Sequence, residues 1–572
     1  MPLDASPRVS LACLQCRERH VRCDAVTPAC TRCLRKSTPC SYSKSRRGGR
    51  SKKHETQPSI NHDDTPVVLS PHGFFTDFDF GMPSLEEEQL WHLREIQSPP
   101  SGTSLHQGLA AAEGAEYEML IGLYYDNFHR AHPCILPQTH FRAIKAQDPE
   151  LVRLLEPVMC WIGSMYASRP ISNVHEERAR NAVDTAQSQP PTAFGVQALL
   201  LFSIATYWND NIENGHAILD STICMALDLG LRRREFASIH GKGDAVLEES
   251  WRRTWWQIYI TDLHLAASSH ASTWRTSGIE STVDLPCEEH EYESGCFSQP
   301  RTLDEYDNRE FGQQCAEFSS FAQVVGLARC LDLTLAGASR ADMVSLGRIA
   351  QEADAAVAAW SLLLPESKQQ LVRADGTVDE MLFKANMLLN AYIVDVHRPL
   401  SSLAYSTIES CSRCAPPAPS QHSSSARALQ ARIHTTKILQ AIERLTELLT
   451  LPTQLTKHSP FLICIVAITT IAHLSACRYV LFGRDWKIAR QRIRAAMGAL
   501  KAYGDIWPLG KRTYREVGDV AREILDLNGP GSLESQQAVN SRIDFSTTPH
   551  CSSVPPDYLD FLASPLGFPG PL

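Results

Sequence analysis

CLQCRERHVRCDAVTPACTRCLRKSTPC, residues 13–40, is the stretch that decides how this chain is built. Its six cysteines, Cys13, Cys16, Cys23, Cys30, Cys33 and Cys40, are spaced C-x2-C-x6-C-x6-C-x2-C-x6-C. A close pair followed by a third thiol thus occurs twice in succession. A C-x2-C turn aims two sulfurs the same way, as a tetrahedral metal requires. Two separate four-coordinate sites need more thiols than are present, but six suffice when two of them bridge both ions. Zinc suits such an all-sulfur, redox-inert site. Every coordination position is then taken by protein, which marks a structural rather than a catalytic metal. A segment this short builds no core of its own, so the metal would supply its folding energy.

The charge around this stretch is as uneven as its cysteines. Residues 8–53 carry thirteen Lys and Arg against Glu18 and Asp24, a local charge of +11, while the remainder of the chain sums to −20. A basic head on an acidic body points to the head as the part that meets a polyanion. Arg17, Arg19, His20 and Arg22 lie between Cys16 and Cys23 in a helix-compatible run, and Arg32, Arg35 and Lys36 lie between Cys30 and Cys40. Arg46 and Arg47 belong to a further basic run that begins at Lys44 and ends at Lys53. That run reads as a phosphate-binding arm, a nuclear localisation signal, or both.

The cysteine array resembles the fungal zinc binuclear cluster transcription factor family, whose spacing it matches throughout residues 13–40, with Pro28 where that family usually has proline. The resemblance implies two zinc ions, with Cys13 and Cys30 bridging, Cys16 and Cys23 completing one site, and Cys33 and Cys40 the other. It also implies that the run after Cys16 enters the major groove and reads a CGG-type triplet, with Arg19 and His20 at the base edges. Arginine matches guanine O6 and N7 by geometry. Arg17, Arg22, Arg32, Arg35 and Lys36 suit phosphate contacts, which position a protein without reading sequence. Residues 41–60 offer Tyr42 and Ile60 as their large apolar groups, so no coiled coil fits. The head then binds as a monomer, or a homodimer forms through the body.

The rest of the chain divides by composition. Residues 44–112 read as a flexible linker, basic and then acidic, in which FFTDFDFGMP and SLEEEQLW mix aromatics with carboxylates. From 113 to 530 the helical period dominates. One stripe is Tyr117, Leu120, Tyr124 and Phe128, stopped by His132-Pro133. A second is Ile218, Thr222, Met225 and Leu229, closed by Gly230. A third is Trp251, Trp255, Ile258 and Leu265, and a later one runs through Leu429, Ile433, Ile438, Ile442, Leu445 and Leu449. Strand signals are few. The fold class expected is therefore mainly all-α: a small zinc cluster head (10–43), a large helical domain, and a disordered linker and tail. LYYDNFHRAHPCILP (123–137), WRRTWWQIYITDL (251–263), HRPL (397–400) and KHSPFLICIVAITTIAHLSAC (457–477) resemble the regulatory middle region of the same family. The resemblance implies that this domain regulates the head, through a small-molecule or protein effector. The tail, 531–572, contains VPPDYLDFLASPLGF, an acidic-hydrophobic mixture of the kind that docks on transcriptional coactivators.

Other features are read more plainly. His458–Cys477 reaches membrane-span length without charge, but its Ser459, Thr469, Thr470, His473 and Ser475 favour a buried core helix, and no membrane partner is expected. The first ten residues have no apolar signal region, and reduced thiols fit metal binding and core use. Cys411 and Cys414 form half a metal motif with no second pair nearby. Asp262, on an apolar stripe, is expected to pair with Arg252 or Arg253. Arg232–Arg234 are expected to complement a helix C-terminus. The chain holds no H-E-x-x-H, P-loop or G-x-S-x-G, so no enzyme is indicated. The reading that results is a nuclear, double-stranded DNA-binding regulator of RNA polymerase II genes, an activator of a metabolic or biosynthetic set. The alternative is a zinc-stabilised protein-interaction module or co-regulator that does not itself touch DNA.

Overall fold

The computed structural model describes residues 13, 16, 23, 24, 26, 29–36, 38–40, 105–168, 173–271, 273–311, 317–338, 343–418 and 428–525. The chain divides into two compact units, residues 1–97 and 98–572. The acidic linker up to residue 104, the basic run 44–53 and the tail 531–572 lie outside the described residues.

In the first unit the described helix is α1, Thr31–Arg35. The described residues of the second unit are mainly helical. Its elements are α2 (Leu105–Asn127), α3 (Gln138–Gln147), α4 (Pro149–Val152), α5 (Leu155–Met165) and α6 (Val174–Ser188). There follow α7 (Ala193–Trp208), α8 (Ile212–Leu229), α9 (Arg234–Gly241), α10 (Ala245–Ser268), α11 (Glu289–Ser294) and α12 (Leu303–Asp307). The last are α13 (Ser320–Ala338), α14 (Met343–Leu362), α15 (Glu366–Gln369), α16 (Glu380–His397), α17 (Ala428–Leu449), α18 (Leu462–Tyr479), α19 (Gly483–Gly504) and α20 (Pro508–Ile524). Among the described residues there is no strand, only the isolated bridges Leu285–Arg301 and Val372–Val378. The mainly all-α expectation holds. Helix α2 begins at Leu105, inside the stretch read as linker.

Three helices are buried on all sides and form the interior: α7 from Phe194 to Trp208, α10 from Glu249 to Ala266, and α18 from Leu462 to Cys477. A helix apolar all round belongs in a large core or in a membrane. Here α18 is long and apolar enough to cross a membrane, yet 89% of that window is buried inside the fold, as the core-helix reading expects. Helices α16, α17, α19 and α20 pack around it, and α7 lies along α8.

Local chemistry sets the boundaries. Gly230 takes φ 81°, and the N–H groups of Gly230 and Leu231 cap α8 through the Leu227 and Ala226 carbonyls at 3.0 Å each. Asp244 opens α10 by accepting from the Val246 and Leu247 N–H groups. Helix α2 stops at Asn127, ahead of Pro133, because a single 3-10 turn at His129–Ala131 intervenes. In α17 the buried stripe starts at His434 and Ile438, whereas Ile433, expected in it, is 51% exposed.

Two expectations are corrected. Asp262 pairs with no arginine: its Oδ2 accepts from the Thr276 N–H and Oγ1, each at 2.8 Å. Burial raises its pKa despite those bonds. Arg252 and Arg253 turn to glutamates instead. Arg253 reaches Glu249 at 2.9 Å and Glu289 at 2.5 Å, and Arg252 reaches Glu249 at 3.3 Å. The reason is spacing, since Glu249 is three and four residues before them on α10. The second correction concerns Arg232–Arg234. Arg234 begins α9 and binds Asp284 at 2.7 Å, and Arg232 donates to the Glu280 carbonyl at 2.8 Å. The partners of Arg232 and Arg234 thus lie in the 280–284 segment rather than at the end of α8, while the Arg233 side chain lies beside the α8 cap at Gly230.

Candidate metal centre

The six thiols of the head come together in two overlapping tetrads, Cys13, Cys16, Cys23 and Cys30, and Cys13, Cys30, Cys33 and Cys40. Within each, the sulfurs all lie within 4.8 Å of one another. Cys13 and Cys30 belong to both. The Sγ–Sγ distances are 3.7 Å for Cys13–Cys30, Cys13–Cys33 and Cys16–Cys30. A zinc–sulfur bond of about 2.3 Å gives a tetrahedron with edges of roughly 3.8 Å. The thiols therefore stand at the spacing two zinc ions would need, with two shared corners.

The sequence duplication is visible in the backbone. The Cys13 N–H donates to Cys23 Sγ at 3.5 Å, and the Cys30 N–H donates to Cys40 Sγ at 3.3 Å, the same offset in each half. The Cys33 N–H donates to Cys30 Sγ at 3.4 Å. Such donors favour thiolate, and Cys30 and Cys40 are drawn below the usual thiol range by the Cys33 and Cys30 N–H groups respectively. Burial pushes Cys13 and Cys16 up, and the Cys30 sulfur, with burial, pushes Cys33 up to about 12. Zinc holds thiolates, so loading the site expels protons from these buried thiols.

Helix α1 links the metal centre to its surroundings. Cys30 caps it and Cys33 is its buried residue, while Arg32, Arg35 and the following Lys36 are exposed. One face of α1 thus meets the sulfurs, and the exposed remainder presents these cations beside Leu34. Asp24 was not singled out from sequence, yet its carboxylate accepts from the Thr31 N–H and hydroxyl at the helix start. The Thr31 hydroxyl, ahead of the backbone donors, holds its pKa below the ordinary value. The signal available was an acidic residue six positions before a C-x2-C turn, which is too common to carry a prediction. Arg17, Arg19, His20, Arg22, Arg46 and Arg47 lie outside the described residues.

Among the described residues, no further cysteine joins Cys411 and Cys414 in a cluster of metal-ligand spacing. Cys411 is exposed, whereas Cys414 is buried with its sulfur 3.4 Å from that of Cys464 in α18. That contact brings together thiols fifty residues apart, which no local pattern announces.

Residues 11–49 match the fungal Zn(2)-Cys(6) binuclear cluster domain, and residues 121–346 match the fungal specific transcription factor domain. The chain is 29% identical over 568 residues to the C6 finger domain transcription factor iacK of Pestalotiopsis fici, covering 91% of this chain and 82% of that one. Shorter likenesses join it to the transcription factor rglT of Aspergillus fumigatus, 34% identical over 70 residues (12% of this chain, 17% of the other). The transcription activator AFTR-2 of Alternaria alternata is 27% identical over 116 residues (19% and 24%). No solved structure matches the chain. With six thiols at zinc spacing in its head and helical described residues in its body, the chain carries the two domains that mark the fungal zinc binuclear cluster transcription factors, a six-cysteine domain that binds two zinc ions and a fungal specific transcription factor domain.

Proposed function

We propose that the protein is a nuclear, sequence-specific activator of RNA polymerase II genes, serving a metabolic or biosynthetic set and reading CGG-type triplets in the major groove. The observation that carries this is helix α1, which buries Cys33 against the sulfur cluster and turns Arg32, Arg35 and Lys36 outward. A metal-built helix that presents cations suits a phosphate backbone. Cys13 and Cys30 bridge the ions, Cys16 and Cys23 complete one site, and Cys33 and Cys40 the other. Arg19 and His20 read base edges, and Arg17, Arg22, Arg32, Arg35, Lys36, Arg46 and Arg47 hold phosphates. Residues 10–43 form the DNA-binding domain, 44–112 a tether, 113–530 the regulatory domain, and 531–572 a coactivator-binding tail. The helical domain takes an effector and serves as the dimer interface where two copies bind. The name of the Alternaria alternata relative, a transcription activator, supports the sign of regulation.

The test is binding to CGG-bearing and scrambled duplexes over a salt series. Arg35→Ala should weaken both equally and lower the salt slope by about one counterion. Arg19→Ala should cost about 1–3 kcal/mol on the CGG site alone. Leu34, 64% exposed on the same helix, suits the rival reading of a protein-interaction module. Affinity that ignores both salt and sequence would favour that rival.

A further inference from the structure

Buried donors converge on one aromatic ring in the helical domain. Lys384, in the second turn of α16, is 2% exposed, and its Nζ has one acceptor, the Ala131 carbonyl, at a long 3.4 Å. The ammonium also lies 5.3 Å from the centroid of Phe461. Glu380, one turn back, is the carboxylate whose charge reaches Lys384; its Oε2 is taken by His458 Nδ1 at 2.5 Å, and its Oε1 is buried without a hydrogen bond, to Lys384 or to any other group. His264 of α10 stacks on Phe461 at 4.1 Å; its ring nitrogens make no close hydrogen bond and have the Phe461 backbone as their one neighbouring partner. His132 stands edge-on to the same ring at 5.4 Å; its Nε2 meets Ser459 Oγ at 3.2 Å, and its Nδ1 makes no close hydrogen bond, with the Phe128 backbone as the ring's other neighbour. Trp208 lies 5.7 Å from Phe461 with its indole N–H unpaired. All four side chains are buried.

An ammonium, an indole N–H and neutral imidazoles are groups with hydrogens to donate. Leaving a buried donor unmade is unfavourable, and leaving a buried cation unpaired is more so. Water satisfies single orphans but does not balance a charge. The segments that meet here are far apart in the chain: the 129–134 turn, α10, the start of α16 and the Ser459–Phe461 approach to α18. Burial keeps His264 neutral, with its pKa pulled down to about 3, and pulls His132 well down. One full positive charge among neutral donors and aromatic faces suits a singly charged carboxylate better than a phosphate dianion.

We propose that this point of the interior binds a small carboxylate, with Lys384 as its counter-ion, His264 and His132 as lateral donors, and Phe461 as its apolar wall. The site would give the effector role proposed for the helical domain a chemical class, and it rests on that reading for its consequence in the cell alone.

The test is thermal unfolding of the zinc-loaded full-length protein with millimolar acetate or benzoate, against acetamide and benzamide. At least one carboxylate should raise the midpoint of the helical domain by about 2 °C or more, and the amides should not. Lys384→Met should abolish the shift, yet unfold no earlier than wild type without ligand, because it replaces a buried charge that touches no carboxylate with apolar bulk. Lys384→Arg, which keeps the charge, should retain part of the shift. The proposal is overturned by the absence of any carboxylate-specific shift, by an equal shift in Lys384→Met, or by a Lys384→Met protein that unfolds earlier than wild type. The last result would make Lys384 a structural tie to Ala131. A Lys384-dependent shift with unchanged reporter output in cells would leave the site standing and remove its regulatory role.

Discussion

The Cys13 and Cys30 sulfurs stand 3.7 Å apart and are the two thiols common to both tetrads. Their removal should therefore differ in kind from removal of a terminal ligand. Cys30→Ser should strip the protein of both zinc ions, whereas Cys40→Ser should leave about one per chain, because its tetrad alone loses a corner. Native mass spectrometry of the intact variants reads the difference directly. A Cys40→Ser protein that holds no zinc, or a Cys30→Ser protein that keeps two, would contradict the shared-corner geometry.

Chelation makes a second separation. Among the described residues of the head, the buried ones are Cys13, Cys16, Cys30 and Cys33, and Val26 and Leu34 are exposed. With no apolar core among these residues, the head should unfold when zinc is withdrawn. The helical domain has its own extensive core and should keep its unfolding midpoint. Calorimetry with and without chelator should show one transition lost and the other unmoved. A shift of both would mean that the two units fold cooperatively.

The contrast between these units also explains what the sequence disclosed. Cysteine spacing was legible because ligand positions in a short metal-built segment are fixed along the chain, and the structure brings those six thiols together. The helical class and the C-cap at Gly230 were legible from period and from the φ > 0 that glycine accepts. Partners inside the core were not. The surroundings of α10 are buried on every side, so no stripe singles out which face Asp262 or Arg253 presents. Asp262 found Thr276 across a turn, and Cys414 found Cys464 across the fold, pairings set by tertiary packing rather than by local pattern.

Arg253 gives a stability prediction from the same helix. Its guanidinium is fully buried, bonded to Glu249 and Glu289, to the Cys287 carbonyl at 3.0 Å, and stacked 4.0 Å over Tyr292. Arg253→Met leaves Glu289 without its cation and Glu249 with Arg252 alone, and should cost about 3–5 kcal/mol. Adding Glu249→Gln and Glu289→Gln should recover part of that loss. Urea unfolding of the single and triple variants checks both signs. A triple variant less stable than Arg253→Met would show that the glutamates are held by other groups.

Glycine positions divide in the same way between crowded and open. A Cβ on Gly163 of α5 would run into the Leu120 carbonyl of α2, where the two helices cross. Backbone cannot swing aside, so Gly163→Ala should cost about 1–3 kcal/mol. Gly122 of α2 has nothing within 4 Å of its Cβ position. Gly122→Ala should instead stabilise by about 0.5–1 kcal/mol through helix propensity. Equal midpoints for the two variants in thermal unfolding would refute the close crossing.

The dependence of stability on pH should follow the buried histidines. His473 lies in α18, where burial, assisted by the charge of Arg492, draws its pKa down to about 4. The unfolded chain titrates it near pH 6.5. Between about pH 6.5 and 4 the unfolded chain takes up a proton that the folded chain refuses, so stability falls as pH falls through that window. One such group gives a slope of up to about 1.4 kcal/mol per pH unit. His129 and His264, drawn down to about 4 and about 3, act in the same direction. Depressed carboxylates such as Asp354 oppose none of this, because their contribution is lost only below the ordinary carboxylate range. Urea unfolding of the helical domain at a series of pH values should show stability dropping below neutrality. His473→Asn should flatten the slope by about one proton between pH 6.5 and 5 while leaving it unchanged above 7. Parallel curves for wild type and variant across the window would mean that His473 is protonated as readily in the fold as outside it.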